Sequence, residues 1–178
     1  MNNRNVEIKS RLQDIDSAIS KAKQLSGSNN AIVIKQHDTF FKAAEGRLKI
    51  RQFEDNTAEY IFYKRPNVLG PKLCSYNKIT LNTDTTELLL NILSESMGVV
   101  GVVKKIRQLF IVGQTRIHID QVDGLGNFVE LEVVLQEDQD VETGQKIAND
   151  LMQALSVTND DLIAEAYIDL LNKANVQV

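Results

Sequence analysis

The sequence predicts a β-rich α+β fold, and three observations carry that reading. Eight stretches alternate with the period of two expected of strands. Most are separated by turn chemistry such as EDNT, PNVLGP and DGLGN. The helical stretches among them do not follow each strand in turn, as a doubly wound parallel sheet would require.

Taken in order, RNVEIKSRL is the first strand, with Glu7, Lys9 and Arg11 at one parity and Val6, Ile8 and Ser10 at the other. A helix is expected over about 14–25, then the strands AIVIKQHDTFF and GRLKIRQF. The latter sets Arg47, Lys49 and Arg51 against Leu48 and Ile50. EYIFYKRP and KLCSYNKIT complete the first five strands. A helix over 85–96 follows, with Asp84 placed to cap it and LLLNIL as its core-facing stripe. VVGVVKKIRQLFIV sets Lys105 and Arg107 against Ile106, and QTRIHIDQV sets Arg116, His118 and Asp120 against Ile117 and Ile119. NFVELEVVL sets Glu130 and Glu132 against Val129, Leu131 and Val133. The acidic QEDQDVE reads as a solvated turn into a helix over 141–155, and Asn159 as the cap of a last helix over 159–174.

Five of these strands share a charged face backed by an aliphatic one, which two arrangements satisfy. A single sheet would bury its aliphatic side under the helices and show its charges to water. A curled sheet would turn the charges inward around a cavity and pack the aliphatic side outward, as an inside-out barrel. Composition favours the barrel. Arginines concentrate on some strands and paired carboxylates on another, and these suit phosphate and a hard divalent cation respectively.

The bulk properties set limits. With 178 residues, 43% hydrophobic and 25% charged, the chain is sized for one globular domain spanning 1–178. A net charge of −4 and a pI near 5.2 argue against nucleic acid or an acidic membrane surface as partner, so any anion site is local. The single cysteine, Cys74, excludes an internal disulfide and reads as an inert strand residue. MNNRNVEIKSR is too polar for a secretory signal and no apolar run approaches a membrane span, so the cytoplasm is expected.

NVEIKSRL, QHDTFF with GRLKIRQ, EYIFYKRP, KIRQLF, TRIHIDQVDGLGNFVELEVVL and AEAYIDLL together resemble the CYTH superfamily, the triphosphate tunnel metalloenzymes, and within it the class IV adenylyl cyclase-like branch that includes thiamine triphosphatase-like proteins. The resemblance runs over nearly the whole chain. It implies an eight-stranded antiparallel barrel with helices outside, whose tunnel binds a triphosphate through basic side chains and Mg²⁺ or Mn²⁺ through carboxylates. Glu7, Glu130 and Glu132 then match metal positions and Asp120 joins them. Lys9, Arg11, Arg47, Lys49, Arg51, Lys105, Arg107 and Arg116 match phosphate positions, as does Lys64 or Arg65, between which the register of FYKRP does not decide. Catalytic roles fall to Glu7, Lys9 and Arg51. Asn5 departs from the family pattern, which has a glutamate there, and an amide is a poorer ligand for a hard cation than a carboxylate. Lys72 and Lys78 either line the tunnel or solvate a loop. His118 reads as structural.

The implied activity is metal-dependent hydrolysis of a small triphosphate, either tripolyphosphate or an organic one such as thiamine triphosphate. The alternatives are a cyclase converting ATP to cyclic AMP and pyrophosphate, and a non-catalytic polyphosphate or nucleotide binder. The expected partner is the small-molecule triphosphate alone, with the chain a monomer or homodimer.

Overall fold

A computed structural model describes residues 3–175. Eight strands run in chain order as β1 (Asn3–Arg11), β2 (Ile32–Phe41), β3 (Arg47–Phe53), β4 (Ala58–Lys64), β5 (Lys72–Leu81), β6 (Val99–Val112), β7 (Thr115–Val122) and β8 (Gly126–Val134). Every pairing is antiparallel, and the order β1-β5-β4-β3-β2-β6-β7-β8 closes on itself through β8 and β1. Closure leaves no edge strand to template pairing with another chain.

Four helices lie outside this wall: α1 (Ile15–Ser26), α2 (Thr83–Met97), α3 (Val141–Ala154) and α4 (Tyr167–Asn175). The core therefore sits between barrel and helices. Val6, Ile8, Ile117, Leu131 and Val133 turn outward beneath the small residues Ala18 and Ala22 of α1 and Ala148 of α3. Each is at most 1% exposed, and burying such a side chain stabilises the fold by about 1.5 to 3 kcal/mol. Leu48, Ile50, Ala58 and Leu81 turn outward beneath Leu93 of α2. With the aliphatic parity committed to this shell, period-two alternation forces the charged parity into the lumen.

Local chemistry sets most helix ends where the sequence places them. Asp14 accepts from the Ser17 N–H at 2.9 Å and Asp140 from the Thr143 N–H at 2.7 Å, satisfying first-turn donors. Two caps differ from expectation. Asn82, not Asp84, caps α2 by accepting from the Thr85 N–H at 2.9 Å, which leaves Asp84 inside the first turn. Asn159 caps no long helix: Asn159–Asp161 is one 3₁₀ turn, and α4 starts only at Tyr167. Pairing across the barrel end overrides the helical pattern there, since Leu162 bridges to Ser10 and the Ile163 N–H donates to the Lys9 carbonyl at 2.9 Å. The LLLNIL stripe is also only part of the core: Leu93 is buried, whereas Leu88 and Ile92 are 62% and 50% exposed.

Candidate functional site

The lumen is a cavity of about 310 Å³ walled by strand residues of one parity. Among the described residues, eight cationic side chains reach its wall against five carboxylates. A chain that is acidic overall has therefore assembled a cavity with an excess of positive charge.

One wall is basic. Register sets Asp38 of β2 opposite Arg51 of β3. Arg51 clasps Asp38 with two bonds of 2.7 Å, and Lys49 reaches the same carboxylate at 2.6 Å. Asp38 is 2% exposed. Burial alone would raise its pKa, but Arg51 and Lys49 hold it well below the carboxylate range. The trio remains cation-rich, so burial and the Arg51 charge push the Lys49 ammonium down to about 7 despite Asp38. Lys105 of β6 is lowered likewise by burial and by Arg107.

The opposite wall is acidic. Glu7 of β1 lies directly across from Glu132 of β8, and Lys9 across from Glu130. Facing carboxylates repel unless a cation stands between them, and burial, the largest influence on Glu7, raises its pKa even though Arg65 opposes the shift. Glu130 receives Lys9 at 3.0 Å and Arg107 at 2.5 Å. Glu132 receives Arg116 at 2.8 Å. Burial would raise Glu132, but His118 and Arg116 bring it to about 2. Ligand atoms of His118, Glu130 and Glu132 all lie within 4.8 Å of one another, and Asn5 Oδ1 is a buried acceptor without a partner among the described residues. The donor set fits a divalent cation. Burial and Arg107 lower His118 to about 4, leaving the imidazole neutral at pH 7.

The expected residues separate into those the fold gathers and those it does not. Glu7, Lys9, Lys49, Arg51, Arg65, Lys105, Arg107, Arg116, Glu130 and Glu132 all line the cavity. The Lys64 or Arg65 ambiguity resolves in favour of Arg65, whose side chain is 2% exposed and meets Glu7 at 2.7 Å. Lys64 ends β4 on the outer parity and pairs with Glu45 in solvent. Arg11 is exposed at the strand end and stacks over Phe128, off the cavity wall. Arg47 is also off that wall, held by Asp169 of α4 at 2.5 Å and by Asn67 at 2.9 Å. Asp120 does not line the cavity either. Arg107 occupies both its oxygens at 2.7 and 2.5 Å and the Tyr167 hydroxyl donates at 3.0 Å, an arrangement that braces Arg107 and takes up the carboxylate. Lys78 reaches the wall beside Glu59, while Lys72 is buried off it, donating to the Gly70 and Ile163 carbonyls at 3.3 and 3.4 Å.

Sequence reasoning missed Asp38 and Tyr167. Asp38 sits in IVIKQHDTFF, whose polar residues fall on both parities, so only its pairing with Arg51 exposes it. Tyr167 enters from α4, and its ring lies 3.8 Å from Lys9 Nζ and 5.0 Å from Lys105 Nζ. Together with Ala166 it stands at the cavity wall where the C-terminal segment meets the barrel.

A chain of Methanocaldococcus jannaschii named a candidate adenylate cyclase is 26% identical over 93% of this chain and 97% of its own length. Among solved structures, the PH1012 protein of Pyrococcus horikoshii OT3 superposes with a TM-score of 0.78 at 20% identity, covering 93% of this chain and 98% of that one. A candidate adenylate cyclase from Vibrio parahaemolyticus gives 0.71 at 19% identity, covering 97% and 99%. At such identities these structures share the fold. The model of the CYTH domain matches residues 3–167, nearly the whole length, and this chain belongs to that family.

Proposed function

We propose that the protein hydrolyses a small triphosphate in this tunnel with the help of a divalent cation. The observation that carries the reading is the division of one cavity into a basic wall and a carboxylate wall. A polyanion and a cation satisfy both walls at once, whereas either alone leaves like charges facing each other.

Phosphoryl transfer asks the protein mainly for positioning and charge neutralisation. Arg51, Arg107 and Arg116 offer planar forks to non-bridging phosphate oxygens, and Lys9, Lys49 and Lys105 offer point charges between them. Lys49 and Arg51 rest on Asp38, Lys9 and Arg107 on Glu130, Arg116 on Glu132 and Lys105 on Asp120. Those carboxylates hold the side chains in the lumen before substrate arrives, limiting the ordering that binding must supply. Glu7, Glu130 and Glu132 would hold the cation, with Asn5 as a neutral neighbour on the same face of β1. When bound, Mg²⁺ or Mn²⁺ supplies charge neutralisation and a template for the attacking group.

A second reading follows from the names of two relatives, candidate adenylate cyclases. The same tunnel would then present the α-phosphate of ATP to its own ribose hydroxyl. Incubation with tripolyphosphate, thiamine triphosphate and ATP, each with Mg²⁺ and with Mn²⁺, separates the readings. Hydrolysis releases inorganic phosphate, and cyclisation releases pyrophosphate with cyclic AMP. Phosphate release is expected. Cyclic AMP as the main product from ATP, or binding without turnover, would replace the hydrolase reading.

A further inference from the structure

We infer that His118 supplies an imidazole nitrogen to the cation held by Glu130 and Glu132, so that the tunnel favours a first-row transition ion such as Mn²⁺ over Mg²⁺. The inference rests on the metal-dependent tunnel proposed above and adds a ligand and a preference to it.

His118 is 4% exposed, and its Nδ1 has no hydrogen-bond partner among the described residues. A buried polar atom without a partner costs about 1 to 3 kcal/mol, so the position calls for an explanation. Nδ1 faces Glu132 Oε1 at 3.6 Å, too far for a hydrogen bond. That spacing has another meaning. Two atoms bound to one ion at about 2.0 to 2.2 Å each lie roughly 3 to 3.6 Å apart. Register places His118 directly opposite Glu130, and all three residues present ligand atoms within 4.8 Å. Rigid strands of a closed barrel hold the group, so the cluster does not depend on a mobile loop.

Glu132 Oε2 is already taken by Arg116, which leaves Oε1 as the oxygen turned toward the imidazole. Glu130 shares its oxygens with Lys9 and Arg107. An ionised carboxylate has about four lone-pair sites, so Glu130 keeps acceptor capacity for an ion beside both of these cations. A donor set that adds one imidazole to carboxylates discriminates between metals. Mg²⁺ takes oxygen ligands in near-ideal octahedral geometry, whereas nitrogen donors bind first-row transition ions more strongly.

The test uses the metal-free protein titrated with MnCl₂, without any triphosphate. Pulsed electron paramagnetic resonance of the bound Mn²⁺ should show hyperfine coupling to a directly bonded ¹⁴N, and His118→Gln should lose it. Competition of Mg²⁺ against bound Mn²⁺ should show the preference for Mn²⁺ falling about tenfold or more in the variant, the scale seen when even supporting partners of a metal ligand are removed. Bound Mn²⁺ without any ¹⁴N coupling in the wild type would overturn the imidazole ligand and leave the proposed function standing. An unchanged preference in His118→Gln would also overturn it. No Mn²⁺ bound to the wild type at all would overturn this inference and the metal-dependent reading together. The wild-type spectrum decides the ligand even if the variant does not fold.

Discussion

At Lys49, burial sets a cation against its own fold. Its ordinary pKa is 10.5 and burial with Arg51 lowers it to about 7. Between those values the unfolded chain binds more protons at this position than the folded one. Stability from this group therefore rises with pH across the window, and the full penalty applies below pH 7. Lys49→Met keeps the aliphatic stem and removes the penalty, while Asp38 retains both bonds from Arg51. The unliganded variant should exceed the wild type in stability at pH 6 by on the order of 1 to 3 kcal/mol. The gap should close toward pH 10.5, as measured by denaturant unfolding at several pH values; a gap that stays constant would mean Lys49 does not titrate in this range. Asn5 poses the converse question of a missing charge. Asn5→Glu adds a carboxylate on the face of β1 that carries Glu7, and the divalent cation concentration for half-maximal rate should fall. A raised requirement would place Asn5 away from the ion.

Single turns decide where whole strands aim their cations. Gly46 precedes β3 with φ of +68°, and a Cβ there would lie 2.6 Å from the Tyr63 carbonyl oxygen. The contact is with backbone, so no side-chain rotation relieves it. Gly46→Ala should cost about 1 to 2 kcal/mol for the left-handed conformation alone, with the clash adding to it. Displacement of the start of β3 should also weaken tripolyphosphate binding, which isothermal titration would measure. Wild-type affinity together with unchanged stability would show that the turn tolerates a side chain. The end of β4 makes the same point in reverse. Glu59, Ile61, Tyr63 and Arg65 share the lumen parity, but their mixed chemistry hides the charged face, and this is why FYKRP alone left Lys64 and Arg65 undecided.

Across the whole molecule, the tunnel concentrates cations whose mutual repulsion a bound polyanion would relieve. Tripolyphosphate at 100 times its dissociation constant should stabilise the wild type by about 2.7 kcal/mol, with most of that gain lost in Lys49→Met at the same concentration. Thermal melts of both proteins at fixed ionic strength check this, and equal shifts would put Lys49 outside the site. Turnover should also stop in excess chelator, because triphosphate and carboxylates would then share the lumen without a cation between them. Full turnover under chelation would remove the metal from the mechanism.

The sequence by itself determined which residues share a face, because a strand's side chains alternate with a period of two whatever surrounds them. That rule grouped Glu7 with Lys9, Lys49 with Arg51, and Glu130 with Glu132 before any pairing was known. It also located the aliphatic shell of Val6, Ile8, Ile117 and Leu131 that the helices cover. What the tertiary structure alone decided was which groups meet across strands. Asp38 became the anchor of Arg51 and Lys49, 13 and 11 positions away, and Asp120 became the brace of Arg107, 13 positions away, because register brings those strands side by side. Arg11 and Arg47 share the parity of the lumen residues but sit at strand ends, where barrel geometry turns them to the rim. The cap expected at Asn159 failed for a related reason. Backbone groups near residue 162 found partners on β1, and a long-range bond outweighed a local preference worth only tenths of a kcal/mol per residue. Parity is a local property of the chain, while register, closure and end effects depend on residues far away in sequence.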